Sequence, residues 1–528
     1  MKRKKVKQVL ALLLCLSISL GMLAGCGSSN KKENNTSTTK NEGTTKEDGT
    51  TDDSKTTELE HVDLTMYLLG DRTPDFDEVY AKVNEILERK LNCTLKVEFL
   101  SWGEHGQKYP LLFSADEDFD LIFTATSWGH YEQTVTLGGF KPLSEEFIQT
   151  YAPDIWNAVP AEAWDQAKIN GEIYMVPGFN REFGQDITAV RGDLMDKYGF
   201  SEITTLDQFN DFAMKLAADG MYASQGGFYY QYFWSKGMNV TGGTPKSGEM
   251  ILYNSQDPED LNFYYILDWD GYTDYCKKAK EMADAGCWSQ DAIYENEDRQ
   301  TGLLTGKNAS MLWNLATTTL YAKQANRENP TWDVRLCDLF AGMPRIVKPY
   351  INSGISINAN SKKAERAMMV LNAFYTDKEI YDLTYLGIEG KHWEAVGDDQ
   401  YKEIDESGYG VDANCNWGWR NMNLTRTAYI ENRTPLDDSY DKILEEWNSN
   451  IKPNHVYDGF NFDPTNVSTQ VAAVEANVDK YYTPLFYGLV KDVDATIAEF
   501  KKALEKAGIR DILDELNRQA AEFVASKQ

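Results

Sequence analysis

Val62-Asp-Leu-Thr-Met-Tyr-Leu-Leu69 and Cys93-Thr-Leu-Lys-Val-Glu-Phe-Leu100 alternate apolar with polar side chains. Between them, Phe76 to Leu91 sets Val79, Val83, Ile86, Leu87 and Leu91 at the spacing of one helix face. The pattern predicts strand, helix, strand. Asp120 to Thr124 (DLIFT) supplies a third strand after a short helix around Tyr109 to Phe113. An open, mostly parallel α/β sheet with helices on its faces is the natural architecture for such an order. Ligands of these sheets bind beyond the carboxyl ends of the strands, so the loops to watch begin at Leu69, Leu100 and Thr124.

Outward from this opening, residues 191–314 read as mainly helical, with Leu206 to Ala218 and Tyr275 to Ala285 the clearest stretches. Asn360 and Ser361 offer a cap for a helix running to Tyr375. Near the end, Val493 to Ala507 stops at Gly508, a residue suited to a helix C-cap, and Ile509 to Ala525 is a further amphipathic helix. About 470 residues of folded body exceed what one hydrophobic core serves, so at least two lobes are predicted.

Upstream of the body, Lys2, Arg3, Lys4, Lys5 and Lys7 precede an apolar run from Val9 to Leu23, too short to span a bilayer comfortably. The run ends in Leu23-Ala24-Gly25-Cys26, which resembles a bacterial lipobox, and this resemblance makes Cys26 the acylated first residue of the mature protein. An ordinary secretory signal with an incidental cysteine is the alternative. Residues 27–58 are almost entirely Ser, Thr, Asn, Gly, Lys, Glu and Asp, which cannot bury enough apolar surface to offset ordering. A leash of that composition has a reach of about 30 Å. Loss of the five basic leader residues takes the formal net charge from −29 to −34. Such a surface repels nucleic acid and suits neutral or cationic solutes, or solubility alone. Cys93, Cys276, Cys287, Cys337 and Cys415 are odd in number and scattered, which reads as buried thiols, with a Cys276–Cys287 bridge left open.

Several segments carry a resemblance in their order along the chain. GEIYMVP (Gly171–Pro177), VRGDLMDKYG (Val190–Gly199) and GISINANSKKAERAMM (Gly354–Met369) look like the family-1 extracellular solute-binding proteins of bacterial ABC importers. YLGIEGKHW (Tyr385–Trp393) is similar to a motif of the LipO-like subgroup. The ending, from Phe460 to Pro464 through Ala507-Gly-Ile509 to Arg518-Gln519, resembles that subgroup's C-terminal domain. The resemblance implies a type II periplasmic-binding-protein-like fold: two α/β lobes joined by hinge segments, closing over a solute, most often a sugar. It also implies a partner permease of the ABC class, a monomeric receptor held on the extracytoplasmic face of the cell membrane through lipid on Cys26, and no cofactor. The organisation that follows is a leader at 1–26, a linker at 27–58, the first part of the N-terminal lobe at 59–190 and a second lobe at 191–345. Return segments, hinge and cleft then occupy 346–455, and a helical C-terminal domain 456–528.

Aromatic faces bind the C–H surfaces of sugar rings while carboxylates and amides take the hydroxyls. Trp128, with Tyr131, lies in the loop beyond the third strand, and Trp102 in the equivalent loop after the second. Trp313 and Asn314 end the apolar stretch Ala309 to Trp313, where family members return to the cleft. Trp234, in a run of aromatics, and Trp417 and Trp419, in a polar loop, complete the candidate ligand contacts. Each has a packing alternative, strongest for Trp234. Glu389, Lys391 and His392 invite a catalytic reading, but a buried ionic brace fits them better.

Two other functions are weighed: a secreted carbohydrate-active enzyme, and a surface adhesin or sensory binding protein. A glycosidase needs two carboxylates about 5 to 9.5 Å apart, and 82 acidic residues make availability uninformative. Gly-x-Ser-x-Gly, His-Glu-x-x-His and phosphate-loop motifs are absent from the sequence. Five histidines with no pair at zinc-ligand spacing argue against a metal centre.

Overall fold

The computed structural model describes residues 59–526, apart from 116, 127, 242–248, 295–297, 405–407, 412, 454, 459 and 461. The leader, the lipobox cysteine Cys26 and the polar segment 27–58 lie outside the described residues. Among the described residues, no helix is long and apolar enough to cross a membrane.

The opening pattern folds as read. Val62–Leu69 pairs in parallel with Cys93–Leu100 and with Leu121–Thr124, and the helix Phe76–Leu91 buries Val79, Val83, Ile86 and Leu87 against them. A one-residue slip would turn Leu64, Met66 and Leu68 outward, so this alternation fixes the register. Beyond the third strand the sheet changes direction. Gly354–Ile357 lies antiparallel to Leu121–Thr124, and Val176–Pro177 closes the edge antiparallel to it. Val176–Pro177 therefore runs with the first three strands, and the reading of a mostly parallel sheet holds for four strands of five, the exception being Gly354–Ile357, where the chain returns from the other lobe.

The second lobe holds more strand than its sequence suggested. Ser310–Trp313, Ile187–Arg191 and Val334–Cys337 form one antiparallel sheet, and Met238–Val240, Ile251–Asn254 and Phe263–Tyr265 form another. These strands of three to five residues are too short to show periodicity. The helices Leu206–Ala218 and Asp270–Ala285 lie where helices were read. Asn360 and Ser361 do not cap the next helix, which starts at Ala364; the Ser361 hydroxyl instead donates to buried Asp120 at 2.7 Å.

Two large interiors result. One gathers residues from the first 120 of the body and from Ile351 to Trp419; the other joins residues 190–340 with the C-terminal helices Ser468–Phe486, Val493–Ala507 and Ile509–Ser526. Val474, Val478, Leu485 and Phe500 share that second interior with Tyr272, Cys276 and Met282, so the C-terminal segment is built into the second lobe. Gly508, at φ +91°, ends the helix before it as its sequence predicts.

Between the interiors the chain makes a narrow ladder. Gly184 N donates to Ile346 O at 2.9 Å and Lys348 N to Glu182 O at 2.7 Å; on the other side Arg345 N donates to Asn450 O and Lys452 N to Arg345 O, both at 2.9 Å. Arg345 is fully buried here. Its guanidinium meets the Asp338 carboxylate, donates to Phe340 O at 2.9 Å and lies 4.7 Å from the Trp447 ring, whose indole N–H also donates to Asp338 at 2.8 Å. Removing one partner from such a buried pair costs about 3–5 kcal/mol, so the ladder is rigid locally.

All five described cysteines are free and buried, which settles the Cys276–Cys287 alternative as two thiols. The Tyr385–Trp393 segment is an ionic brace. His392 is buried, accepts from Ile388 N at 2.8 Å through Nδ1, and so presents Nε2–H to Asp75 at 3.1 Å; Lys391 reaches the same carboxylate at 2.9 Å. This ties the start of helix Phe76–Leu91 to the segment, while Glu389 points to solvent.

Candidate functional site

Three loops that are far apart in sequence converge at one end of the first lobe's sheet. Trp102 follows Cys93–Leu100 by two residues, Trp128 follows Leu121–Thr124 by four, and Trp417 comes from the turn Asn416–Trp419. Trp102 stacks at once on Trp128, with centroids 6.3 Å apart, and on Trp417, at 6.1 Å and 13° between planes. Phe123 lies beneath, 5.6 Å from Trp128 and 6.3 Å from Trp417. Trp102 and Trp128 stay 56% and 41% exposed, an unusual expense of apolar surface for three clustered indoles.

The local chain explains how these rings are held. Gly70, at φ +110° after the first strand, takes a turn beside the Trp102 indole that residues with a Cβ rarely adopt. The Trp128 loop turns back tightly: Thr124 Oγ1 donates to Gly129 O at 2.8 Å, and a Cβ on Gly129 would fall 2.4 Å from Ala125 N. Asn414 and Cys415, both left-handed at φ +53° and +61°, immediately precede the Trp417 turn. Such backbone is costly for cysteine. It is held by the Asn414 side chain, which accepts from Thr73 N and donates to Thr73 Oγ1, each at 2.9 Å.

The rim is polar. Glu182 accepts from Arg420 at 3.0 Å and from Asn352 at 3.2 Å, and Asn180 accepts from Met422 N at 2.9 Å. These residues lie in or beside the interlobe segments. The register places the cluster there as well: Thr124, four residues before Trp128, is opposite Gly354, which is also opposite Pro177, so both interlobe segments leave from this end of the sheet.

Trp313 occupies the matching end of the second lobe. It pairs with Ile187, the first residue of its strand after the interlobe segment. The ring is 42% exposed, and the Arg299 guanidinium lies 3.7 Å from its centroid, held by a bond to Leu312 O at 3.2 Å. Next to Ile187, Asp186 accepts from Gln231 at 3.0 Å; burial raises its carboxyl above the usual range, against the pull of Lys348 and Arg299.

Of the remaining candidates, three fall inside the protein and half-buried Asn314 serves as a cap. Trp419 is buried and donates to Thr384 Oγ1 at 3.1 Å, because its neighbour Trp417 takes the outward side of the same turn. Tyr131 is buried and donates to Ala167 O at 2.5 Å. Trp234 packs in the second interior, as the helix Tyr229–Ser235 turns it inward. Asn314 spends its side-chain oxygen on the cap of helix Leu315–Glu328, accepting from Thr317 N at 2.9 Å. In this conformation these four serve packing and capping.

Sequence reasoning passed over His105 and His130. The His105 ring centroid lies 6.4 Å from that of Trp128, and His130 lies behind it, 4.9 Å from His105 and 4.9 Å from Tyr109. Their places, three residues after Trp102 and two after Trp128, were the available signal. Burial pushes the His105 imidazole down to about 4, His130 adding to the effect, and burial also lowers His130. Both rings are thus neutral at pH 7. An unfolded histidine takes its proton near pH 6.5, so the support under Trp128 is complete above that pH and is lost as pH falls toward about 4. Facing groups are Tyr109, Gln133 and Trp128, none of them anionic. We predict that the indole fluorescence of the cluster changes over this acid range and that His105→Phe flattens the change; an intact protein with no response between pH 7 and pH 4 contradicts the assignment.

Comparison with known proteins bears on this arrangement. Residues 456–525 match a family described as a domain of unknown function, DUF3502. A "Carbohydrate ABC transporter substrate-binding protein" of Streptococcus pneumoniae is 23% identical over 490 residues, 88% of this chain and 91% of the relative. Among solved structures, the N-glycan transport solute binding protein NgtS of S. pneumoniae superposes with a TM-score of 0.70 at 21% identity, over 88% of this chain and all of that one. An extracellular solute-binding protein of Bifidobacterium longum subsp. infantis gives 0.60 at 13% identity, over 88% and 99%. Over most of its length the chain thus has the type II solute-binding fold.

Proposed function

We propose that the protein captures an oligosaccharide outside the cell and delivers it to the membrane subunits of an ABC transporter. One observation carries the reading: three indoles from three loops, Trp102, Trp128 and half-buried Trp417, stack together where both interlobe segments leave the sheet, and two of them, Trp102 and Trp128, face solvent. Sugar rings lay their C–H faces on such surfaces, and the polar Asn180, Glu182 and Asn352 side chains of the interlobe segments suit hydroxyl groups. A platform more than one indole wide suits several linked sugar units better than one. Trp313 is the aromatic wall of the second lobe. Binding works by differential affinity: the closed arrangement contacts the sugar with both lobes, so the solute shifts the population toward it, and no bond is made or broken.

The similar proteins support this chemistry. The pneumococcal NgtS has been crystallised with Man1GlcNAc and with Man5GlcNAc. The basic leader and Leu23-Ala24-Gly25-Cys26 support a receptor tethered by lipid on Cys26 and reaching its permease through the leash 27–58. Cys26→Ala should release the chain from bacterial membranes into the medium; a variant that stays with the membrane fraction argues against the anchor.

Isothermal titration of the mature chain against mono- and oligosaccharides, Man5GlcNAc among them, tests the function. The sugar should bind and be recovered intact by thin-layer analysis. Trp102→Ala or Trp128→Ala should weaken binding by about 1–3 kcal/mol without loss of fold. Unchanged affinity in both variants removes the platform from the account, and cleaved sugar replaces the receptor with an enzyme.

A further inference from the structure

The C-terminal segment joins the second lobe's core, yet one of its side chains reaches the other lobe. Asp458 is only 12% exposed at its side chain and uses both carboxylate oxygens: Oδ1 accepts from Arg181 Nη2 at 2.8 Å and Oδ2 from Gln166 Nε2 at 3.0 Å. Gln166 ends the helix Ala161–Gln166, whose Ala163 and Trp164 belong to the first lobe's core. Arg181 belongs to the interlobe segment. Its Nε donates to Lys348 O at 2.6 Å and its Nη2 also to Val347 O at 3.0 Å, so it grips the return strand of the ladder. The Gln166 oxygen, in turn, accepts from Tyr350 N at 2.7 Å, and the Arg181 guanidinium lies 5.4 Å from the Tyr350 ring.

Asp458 itself is pinned to the second lobe by its neighbour. Tyr457 stacks on Phe263 with centroids 4.7 Å apart and donates to Leu261 O at 2.6 Å. One carboxylate therefore bridges a residue of the first lobe's core and the arginine that clamps the hinge strands. The charges are largely out of water, which makes charge-assisted hydrogen bonds of this kind strong and their rupture selective. A rotation of the lobes about the ladder must stretch the Gln166–Asp458 bond, because Gln166 moves with one interior and Asp458 with the other.

We infer that residues 456–525 act as a hinge clasp, and that Asp458, through Arg181 and Gln166, sets the balance between lobe arrangements without touching the solute. Asp458 is a positioning residue in this role. The inference rests on the receptor reading for its purpose, though its test needs no sugar.

The mature chain with Cys26→Ser takes donor and acceptor dyes at Lys362→Cys on the first lobe and Asp284→Cys on the second, both exposed positions, while the five described cysteines are buried. Interlobe distances are then read by single-molecule energy transfer without ligand. Asp458→Asn weakens the charged bonds, and Gln166→Glu keeps the acceptor for Tyr350 N while setting a second carboxylate against Asp458. Each should change the ratio of lobe arrangements about fivefold or more. Gln519→Ala, which breaks two bonds to the Asp463 backbone inside the C-terminal segment, should leave the ratio unchanged. Distance distributions of Asp458→Asn and Gln166→Glu that match the parent overturn the clasp, even if both unfold at lower temperature. Failure to bind sugar in titration would remove the receptor reading and leave this result standing.

Discussion

The pairing of Gly354–Ile357 between Leu121–Thr124 and Val176–Pro177 is the constraint on which the rest of the structure depends. It returns the chain from the second lobe into the first lobe's sheet as its fourth strand. That single insertion makes the interlobe ladder necessary, since the segments before Ile187 and before Gly354 must run side by side. It also decides which end of the sheet the ladder leaves from. Gly354 is opposite Thr124, so the Trp128 loop sits where the two lobes meet. Fold and site are thus set by one register.

Energetically the molecule separates what must be rigid from what must open. The two interiors are apolar and dense, and the ladder between them carries the buried Arg345–Asp338–Trp447 arrangement, whose geometry tolerates no loss of a partner. Indoles that would stabilise a core by burial are instead left facing water at the mouth. Left-handed Asn414 and Cys415 hold one of them in place at a cost to the backbone. Exposed apolar area and local strain together are the marks of a surface prepared for a partner.

Much of this was legible in the chain. Alternation in Val62–Leu69 and Cys93–Leu100, and the helical face of Phe76–Leu91, led to the right opening because their periods are long enough to distinguish. The loops carrying Trp102 and Trp128 followed from strand direction alone. The direction of the fourth strand did not, because Gly354–Ile357 pairs with residues that all lie well over a hundred positions away. Trp417 and Trp419 differ by two positions in one polar turn, and only the packing of Trp419 against Thr384 and Phe374 tells which is buried. Asn314 looked like a ligand contact since capping and hydroxyl recognition use the same amide. His105 and His130 carry no pattern of their own; their meaning comes from sitting beside Trp128.

The most direct test of the central claim is a crystal structure of the mature chain grown with an oligosaccharide such as Man5GlcNAc. The account predicts a sugar ring lying on the Trp102 or Trp128 indole, with Trp313 of the second lobe closed toward it. Sugar density elsewhere on the protein, with Trp102 and Trp128 still open to solvent, would contradict it.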